Sequence, residues 1–311
     1  MTRYGMVIDA TLCQGCDGCT MACKDEFVGN DYPTYSAAQP DTQYGYYPGV
    51  TPIDGGVQNP SVWVIPGQKW IERVEVVRGT FPNLKVTRYS FPCQMCDNPP
   101  CVPASVNNAV YKRSDGIVLI DPVLAYGQGD SSMQSLGNMQ VPASCPYGKI
   151  YWNPVSNIPQ KCTFCAHLVD QGQNPRCVDQ CHMNAITFGD LDNPNSTIAK
   201  LVASANPQPL HPEYGTKPKV LYIGLPQTFI MGKVVDSKSG AYLQGAAVTV
   251  TDSSGKSFNA TVDNYGDFTI DGLKSGTTYT LKVTLASYTT LTQSVNLQTD
   301  TYVGSLQLVS S

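Results

Sequence analysis

The spacing of the cysteines constrains this chain more than any other feature. Twelve of the 311 residues are cysteines, and all of them lie between Cys13 and Cys181. The first run has the pattern C-x2-C-x2-C-x3-C, whose short gaps let three successive sulfurs bind one [4Fe-4S] cube. The last cysteine of such a run binds the other cluster of a pair. This first run, which therefore predicts a partner run, consists of Cys13, Cys16, Cys19 and Cys23.

The expected partner run closes the cysteine-rich region. It has the pattern C-x2-C-x11-C-x3-C and ends with the same three-residue gap. Exchange of the last ligands between the two runs predicts two clusters. Cluster A would bind Cys13, Cys16, Cys19 and Cys181, and cluster B would bind Cys162, Cys165, Cys177 and Cys23.

Four cysteines are left over, which is enough for one more cube. Three are spaced C-x2-C-x4-C, and the fourth precedes a proline, as final ferredoxin ligands often do. Cluster C would bind Cys93, Cys96, Cys101 and Cys145. The same spacing rule expects four more cysteines where the chain has Ser105, Ser135, Asn138 and Val141. Because these absences make up one ligand set, the sequence predicts three clusters and the loss of a fourth.

Zinc sites and disulfides are the other common uses of cysteine pairs. Zinc is usually held by two C-x2-C pairs or by mixed Cys and His, but here the cysteines come in threes with a trailing fourth. The histidines, His167, His182 and His211, complete no zinc set. Disulfide scaffolds are usually small and secreted. We therefore expect iron, with a zinc-bound scaffold protein as the alternative. His167 and His182 follow cluster cysteines and could tune a cluster or simply pack.

Composition excludes several other classes of function. Charged residues make up 14% and the net charge is −4, without the basic footprint of a nucleic-acid binder. No stretch of 18 apolar residues predicts a membrane span. The first residues do not read as an export signal, so we expect a cytoplasmic location, or export together with a partner that carries a twin-arginine signal. No hydrolase, zinc-protease or nucleotide-binding motif occurs. We expect no catalytic residues in this chain.

The chain divides by composition into two domains. Residues 1–192 would form a ferredoxin-type domain with a Tyr-rich insert at about residues 30–62, and a strand pair is expected between Trp63 and Tyr89. A Pro-rich linker is expected at residues 193–226. Residues 227–311 contain seven short alternating runs separated by turn residues, which predict an antiparallel sandwich. The stretch GKVVDSKSGAYLQGAAVTV resembles transthyretin-like or carboxypeptidase regulatory-like sandwiches. The predicted fold class is α+β, a bacterial ferredoxin-like multi-cluster domain followed by this all-β sandwich.

Several cysteine-containing stretches carry a wider resemblance over residues 1 to about 190. The segments CQGCDGCTMAC, CQMCDNPPCV, CPYGKIYW and KCTFCAHL resemble the iron–sulfur (beta) subunits of dimethyl sulfoxide reductase family molybdenum or tungsten enzymes. Most members hold four clusters, and this chain lacks the ligands of one. The stretches WIERVEVVRGTFP and EYGTKPKVLY are similar to the small subunits of pyrogallol–phloroglucinol transhydroxylases, which share the three-cluster set and a C-terminal sandwich.

This resemblance implies an electron-transfer subunit. It would form a heterodimer, or a higher oligomer, with a large catalytic subunit that alone binds molybdopterin guanine dinucleotide with Mo or W. That subunit would hydroxylate or transhydroxylate a polyphenol. A respiratory reductase for oxyanions or sulfur compounds is the alternative within the same family.

Overall fold

The computed structural model of the chain describes residues 2–27, 68–80, 83–125, 138–153 and 158–311. The predicted Tyr-rich insert and Ser135 lie outside these residues. Contacts divide the chain into two units. The first comprises Met1–Glu75 and Arg88–Leu225, and the second comprises Val76–Thr87 and Pro226–Ser311. None of the described helices is long and apolar enough to cross a membrane.

The first unit contains short strands and helices joined by long loops. Its strands, counting the hairpin that begins and ends in it, are β1 (Tyr4–Asp9), β2 (Ile71–Thr80), β3 (Asn83–Pro92), β4 (Val110–Lys112), β5 (Val118–Ile120), β6 (Tyr151–Asn153), β7 (Ile158–Gln160), β8 (Ile186–Asp190), β9 (Gln208–Pro209) and β10 (Val220–Ile223). Its helices are α1 (Gly18–Phe27), α2 (Pro122–Ala125), α3 (Ala166–Val169), α4 (Arg176–Asp179) and α5 (Thr197–Ala205), with 3₁₀ turns at Asn138–Gln140, Pro142–Ser144 and Pro212–Tyr214.

A four-stranded sheet in the order β8-β1-β10-β9 supports this unit. Strand β1 pairs antiparallel with β8 and parallel with β10, so that Met6 lies opposite both Phe188 and Val220. The four central residues of β1 are buried, and a strand covered on both faces reads as a continuous apolar run. The cysteine loops pack into the same apolar core as this sheet.

The predicted linker at residues 193–226 is instead part of the first unit. Helix α5 begins at Ser196, whose hydroxyl accepts a hydrogen bond from the amide of Ala199 at 3.1 Å, as N-cap serines do. Strand β10 then adds to the central sheet and buries Val220 and Tyr222. The prolines misled the prediction because they stand at the ends of these elements and not inside them. Pro212, for example, opens a 3₁₀ turn.

This segment also supports one of the cysteine loops. The amide of Lys219 donates to the carbonyl oxygen of Gln94 at 3.0 Å, and the amide of Asp97 donates to that of Lys217 at 2.8 Å. The Gln94 side chain donates to the hydroxyl of Tyr222 at 3.1 Å. Because Gln94 lies between Cys93 and Cys96, residues 216–222 hold the loop that carries these two cysteines.

The second unit contains the seven predicted strands, and its sandwich fold is confirmed. The strands are β11 (Thr228–Asp236), β12 (Ala247–Thr251), β13 (Ser257–Thr261), β14 (Asp267–Leu273), β15 (Thr277–Thr284), β16 (Leu291–Leu297) and β17 (Thr301–Leu308). They form one sheet in the order β14-β11-β17 and another in the order β13-β12-β15-β16. Alternate residues of β15, such as Tyr279, Leu281 and Val283, enter the core, as expected for sheets with one solvated face.

The tip of the β2–β3 hairpin belongs to the second unit. The Arg78 guanidinium lies 5.0 Å from the centre of the Phe229 ring, a cation–π arrangement. It also contacts Asp300 at 3.0 Å and donates to the carbonyl oxygen of Gln227 at 2.6 Å. The strand pair expected between Trp63 and Tyr89 is therefore present, and its tip is held by residues of the sandwich.

Two truncations distinguish the observed boundary from the predicted one. We expect a chain that ends at Leu225 to keep the iron content of the full chain, because every cysteine and its supporting segment remain. A chain that ends at Asp192 should lose iron, because Gln94 and Asp97 lose their partners from residues 216–222. Iron analysis after anaerobic purification measures both. Equal iron content in the two truncated chains would contradict the structural boundary.

Candidate iron–sulfur sites

The cysteines predicted for cluster A meet at one pocket. Its wall includes all four of them, together with Arg73, Ser90 and Met183. Burial raises the pKa of the Cys13 thiol, and the neighbouring thiolates of Cys181 and Cys16 raise it further. The thiols of Cys13 and Cys181, more than 160 positions apart in the sequence, are thus brought together. The four cysteines at this pocket are Cys13, Cys16, Cys19 and Cys181.

The cysteines predicted for cluster B are also neighbours, and they lie deeper. Burial, followed by the thiolates of Cys162 and Cys165, holds the pKa of Cys23 well above its usual value. Burial and then Cys165, Cys162 and Cys23 do the same to Cys177. Burial raises the pKa of Cys165 to about 12 and that of Cys162 to about 11. Cys23 enters this group because α1 carries it one helical turn beyond Cys19.

The cysteines predicted for cluster C form a third group. Burial raises the pKa of Cys96 to about 12, with Cys93, Cys101 and Cys145 adding to the shift. Burial likewise raises the pKa of Cys101 to about 12, and Cys93 and Cys145 again contribute. The Thr216 hydroxyl, which belongs to the segment predicted to be a linker, forms a hydrogen bond that lowers the pKa of Cys96 against this shift.

The three groups lie in a row, with the cluster B group in the middle. The charge of Cys19, in the first group, acts on Cys23 and on Cys177 in the second. The charge of Cys93, in the third group, acts on Cys162 in the second. At one end of the row, Cys16 is exposed to solvent. The arrangement therefore leads from the surface at the cluster A group through the cluster B group to the cluster C group.

One backbone feature recurs in the first C-x2-C step of three cysteine runs, those that begin at Cys13, Cys93 and Cys162. The residue just before the second cysteine has a positive φ, of 72° at Gly15, 45° at Met95 and 53° at Phe164. This left-handed conformation is costly for residues with a side chain. It turns the chain back so that the two cysteines face the same space, and the Phe164 amide donates to Cys162 Sγ at 3.4 Å. Two of these three positions are not glycine, so the sequence did not reveal the turn.

The chemistry of these groups fits iron–sulfur clusters. None of the cysteines forms a disulfide, and thiols with pKa values of 11 or 12 stay protonated at neutral pH unless a metal replaces the proton. The thiols gather in fours, and a [4Fe-4S] cube takes one thiolate for each of its four irons.

Three positions of the absent fourth ligand set, Ser105, Asn138 and Val141, lie within the described residues, and two of them bind backbone groups. Ser105 Oγ donates to the carbonyl oxygen of Val102 at 2.9 Å and accepts from the amide of Val110 at 3.1 Å. Asn138 Oδ1 accepts from the amide of Val106 at 3.1 Å. Asn138 and Val141 are fully buried. Backbone groups in this region are thus bound by polar side chains where the related subunits would have a cluster.

The two histidines beside the cysteines have different roles. His167 is buried, and its Nε2 lies 2.9 Å from Glu26 Oε1, whose other oxygen accepts from Arg176 Nε at 2.6 Å. This contact ties α1 to α3 and α4, which is a packing role. Burial lowers the pKa of His167, while Glu26 opposes the shift. His182 Nδ1 lies 4.0 Å from Cys16 Sγ, at the exposed end of the row.

The sequence also held no sign that Ser90 touches a cysteine. Ser90 is 4% exposed, and its Oγ lies 3.1 Å from Cys19 Sγ. Strand β3 brings it there from 71 positions away in the chain. A metal-bound thiolate can only accept, so the hydroxyl would donate. Hydrogen bonds to cluster sulfurs are among the factors that set a reduction potential.

Comparisons with known proteins agree with this geometry. The model of the 4Fe-4S dicluster domain matches residues 84–191, and that of the carboxypeptidase regulatory-like domain matches residues 230–308. The pyrogallol hydroxytransferase small subunit of Pelobacter acidigallici is 32% identical, over 91% of this chain and 91% of its own.

Other relatives are subunits of reductases. The arsenate respiratory reductase iron–sulfur subunit of Shewanella sp. strain ANA-3 is 28% identical over 71% of this chain and 96% of its own. A tetrathionate reductase subunit of Salmonella typhimurium is 32% identical over 73% of this chain and 75% of its own. These similarities and the gathered thiols lead to one assignment. The chain belongs to the iron–sulfur subunits of the dimethyl sulfoxide reductase family of molybdopterin oxidoreductases, in which it is an electron-transfer subunit that binds [4Fe-4S] clusters.

Proposed function

We propose that this subunit holds three [4Fe-4S] clusters in a row and exchanges electrons with a large catalytic molybdopterin subunit. The observation that carries the proposal is the gathering of the twelve cysteines into three neighbouring groups of four. When bound, each cluster would take up and release one electron without bond or proton transfer. The protein's part is to fix the groups within reach of one another and to expose Cys16 at the cluster A end.

The favoured reaction of the partner is hydroxyl transfer between polyphenols. The pyrogallol hydroxytransferase small subunit matches 91% of this chain, more than residues 1–225 could supply, so the match extends into the sandwich. The replaced fourth ligand set also fits a subunit that need not carry electrons to a distant acceptor. Because transhydroxylation has no net electron transfer, the clusters would poise the partner's metal.

A respiratory reductase for an oxyanion or a sulfur compound is the second candidate. It is favoured by the arsenate and tetrathionate reductase relatives, which match 71% and 73% of this chain. A haem protein or membrane anchor that co-purifies with the chain would support this candidate over the first.

Metal analysis of the anaerobically purified complex tests the proposal. Three cubes should give about twelve iron and about twelve acid-labile sulfide per chain, and the partner should bring molybdenum or tungsten. Supplying the complex with a trihydroxybenzene, arsenate or tetrathionate then separates the two candidate reactions. Near-stoichiometric zinc with little iron and no sulfide would instead support a zinc scaffold and reject electron transfer.

A substitution of Cys145 tests the assignment of cluster C. We expect Cys145→Ser to lower the iron content by about one cluster and to preserve the signals of the other two, because this group exchanges no ligand with them. Neighbouring Ser144→Ala is the control and should keep all the iron. Loss of every cluster signal from a folded Cys145→Ser protein would contradict the assignment.

Ser90 should tune cluster A. We expect Ser90→Ala to lower the midpoint potential of this cluster by about 20–60 mV, the equivalent of a hydrogen bond worth about 0.5–1.5 kcal/mol. The hydroxyl favours the reduced cluster because reduction adds negative charge to the sulfurs. Redox titration followed by electron paramagnetic resonance measures the shift. Ser90→Thr keeps the hydroxyl and should keep the potential. An unchanged potential in Ser90→Ala would remove Ser90 from this role.

A further inference from the structure

Three lysines of the first unit are almost completely buried. Lys149, Lys161 and Lys219 are each 2% exposed. A buried ammonium is costly unless an anion or several hydrogen-bond acceptors compensate it. Lys149 Nζ pairs with Glu72, and Lys219 Nζ lies 3.4 Å from Asp97 Oδ1. Two of the three thus have a carboxylate as their counter-ion.

Lys161 differs from the other two. Its Nζ donates to the carbonyl oxygens of Val118 and, at 2.8 Å, of Cys162, and it contacts Met95 Sδ at 3.8 Å. These three contacts use the three protons of an ammonium. In the part of the chain that the structure describes, no carboxylate lies within 4.0 Å of Lys161 Nζ. The three acceptors are uncharged, so they do not neutralise the positive charge.

The contacts of Lys161 join the loops of two cysteine groups. Its Nζ donates to the carbonyl oxygen of Cys162, a cysteine of the cluster B group, at 2.8 Å. It also lies 3.8 Å from the sulfur of Met95, the residue that directly precedes Cys96 of the cluster C group. The ammonium of Lys161 is therefore placed between the loops that carry the cluster B and cluster C groups.

We propose that Lys161 is the shared counter-charge of clusters B and C and that its ammonium raises the reduction potentials of both. The inference rests on the proposed three-cluster function. Each reduction adds one electron, supplied by the neighbouring cluster or by the partner's metal centre, and no bond or proton changes. A fixed positive charge inside a poorly screened interior stabilises the more negative, reduced cluster. Lys161 thus acts on the two clusters through its charge and does not bind iron.

Removal of the charge tests this role in the full chain, purified anaerobically with any partner that accompanies it. In Lys161→Met, the ratio of reduced to oxidised cluster at a fixed potential should fall about tenfold for clusters B and C, a shift of about 59 mV for one electron. Cluster A should keep its potential. Lys161→Arg retains the charge and should retain the potentials of all three. The cluster C signal is identified by its loss in Cys145→Ser.

Each outcome decides the question. Unchanged potentials of clusters B and C in an iron-replete Lys161→Met protein would overturn the proposal, as would an equal shift of all three clusters. If Lys161→Met loses iron, Lys161→Gln replaces it. Loss of iron from both neutral variants but not from Lys161→Arg supports a required positive charge. Loss of iron from all three variants shows that the size of the side chain matters instead of its charge, and this result rejects the proposal. Iron analysis of the unsubstituted chain tests the three-cluster function separately.

Discussion

The gathering of twelve cysteines in one folded unit, seven of them buried, is the constraint on which the rest of the first unit depends. Burial raises the pKa of most of these thiols, to about 12 at Cys96 and Cys101. In this interior, iron replaces protons that water alone would not remove, so metal binding and folding are coupled. The left-handed turns at Gly15, Met95 and Phe164 and the amides that donate to sulfur support thiolates in a place where bare thiolates would be unfavourable.

The sequence was most informative where chemistry fixes spacing. The gaps between cysteines predicted which distant thiols meet, and the structure brings each set of four together. The strict alternation of residues 227–311 predicted all seven sandwich strands, because a half-buried strand must alternate. By contrast, β10 is only four residues long and follows a series of prolines, so its apolar alternation at Val220 and Tyr222 was too short to separate it from a linker.

Side chains that act across long sequence distances were out of reach of the sequence. Ser90 meets Cys19 only because β3 passes the first cysteine loop. Lys161 looks like an ordinary polar residue beside a cysteine, and only its burial and the absence of a carboxylate partner among the described residues single it out. The loss of a fourth cluster was predicted from four missing cysteines. The hydrogen bonds that Ser105 and Asn138 accept there from backbone amides depend on the folded loops and could not be predicted.

Helix α1 fixes the spacing between two of the cysteine groups. Cys19 and Cys23 lie on the same face of this helix, one turn apart, and belong to different groups. Four residues of helix advance about 6 Å along the axis. A residue inserted between these cysteines would rotate one of them by about 100° away from its group. The helix thus fixes the number of residues between the two cysteines, which is three, and with that number the distance between their two groups.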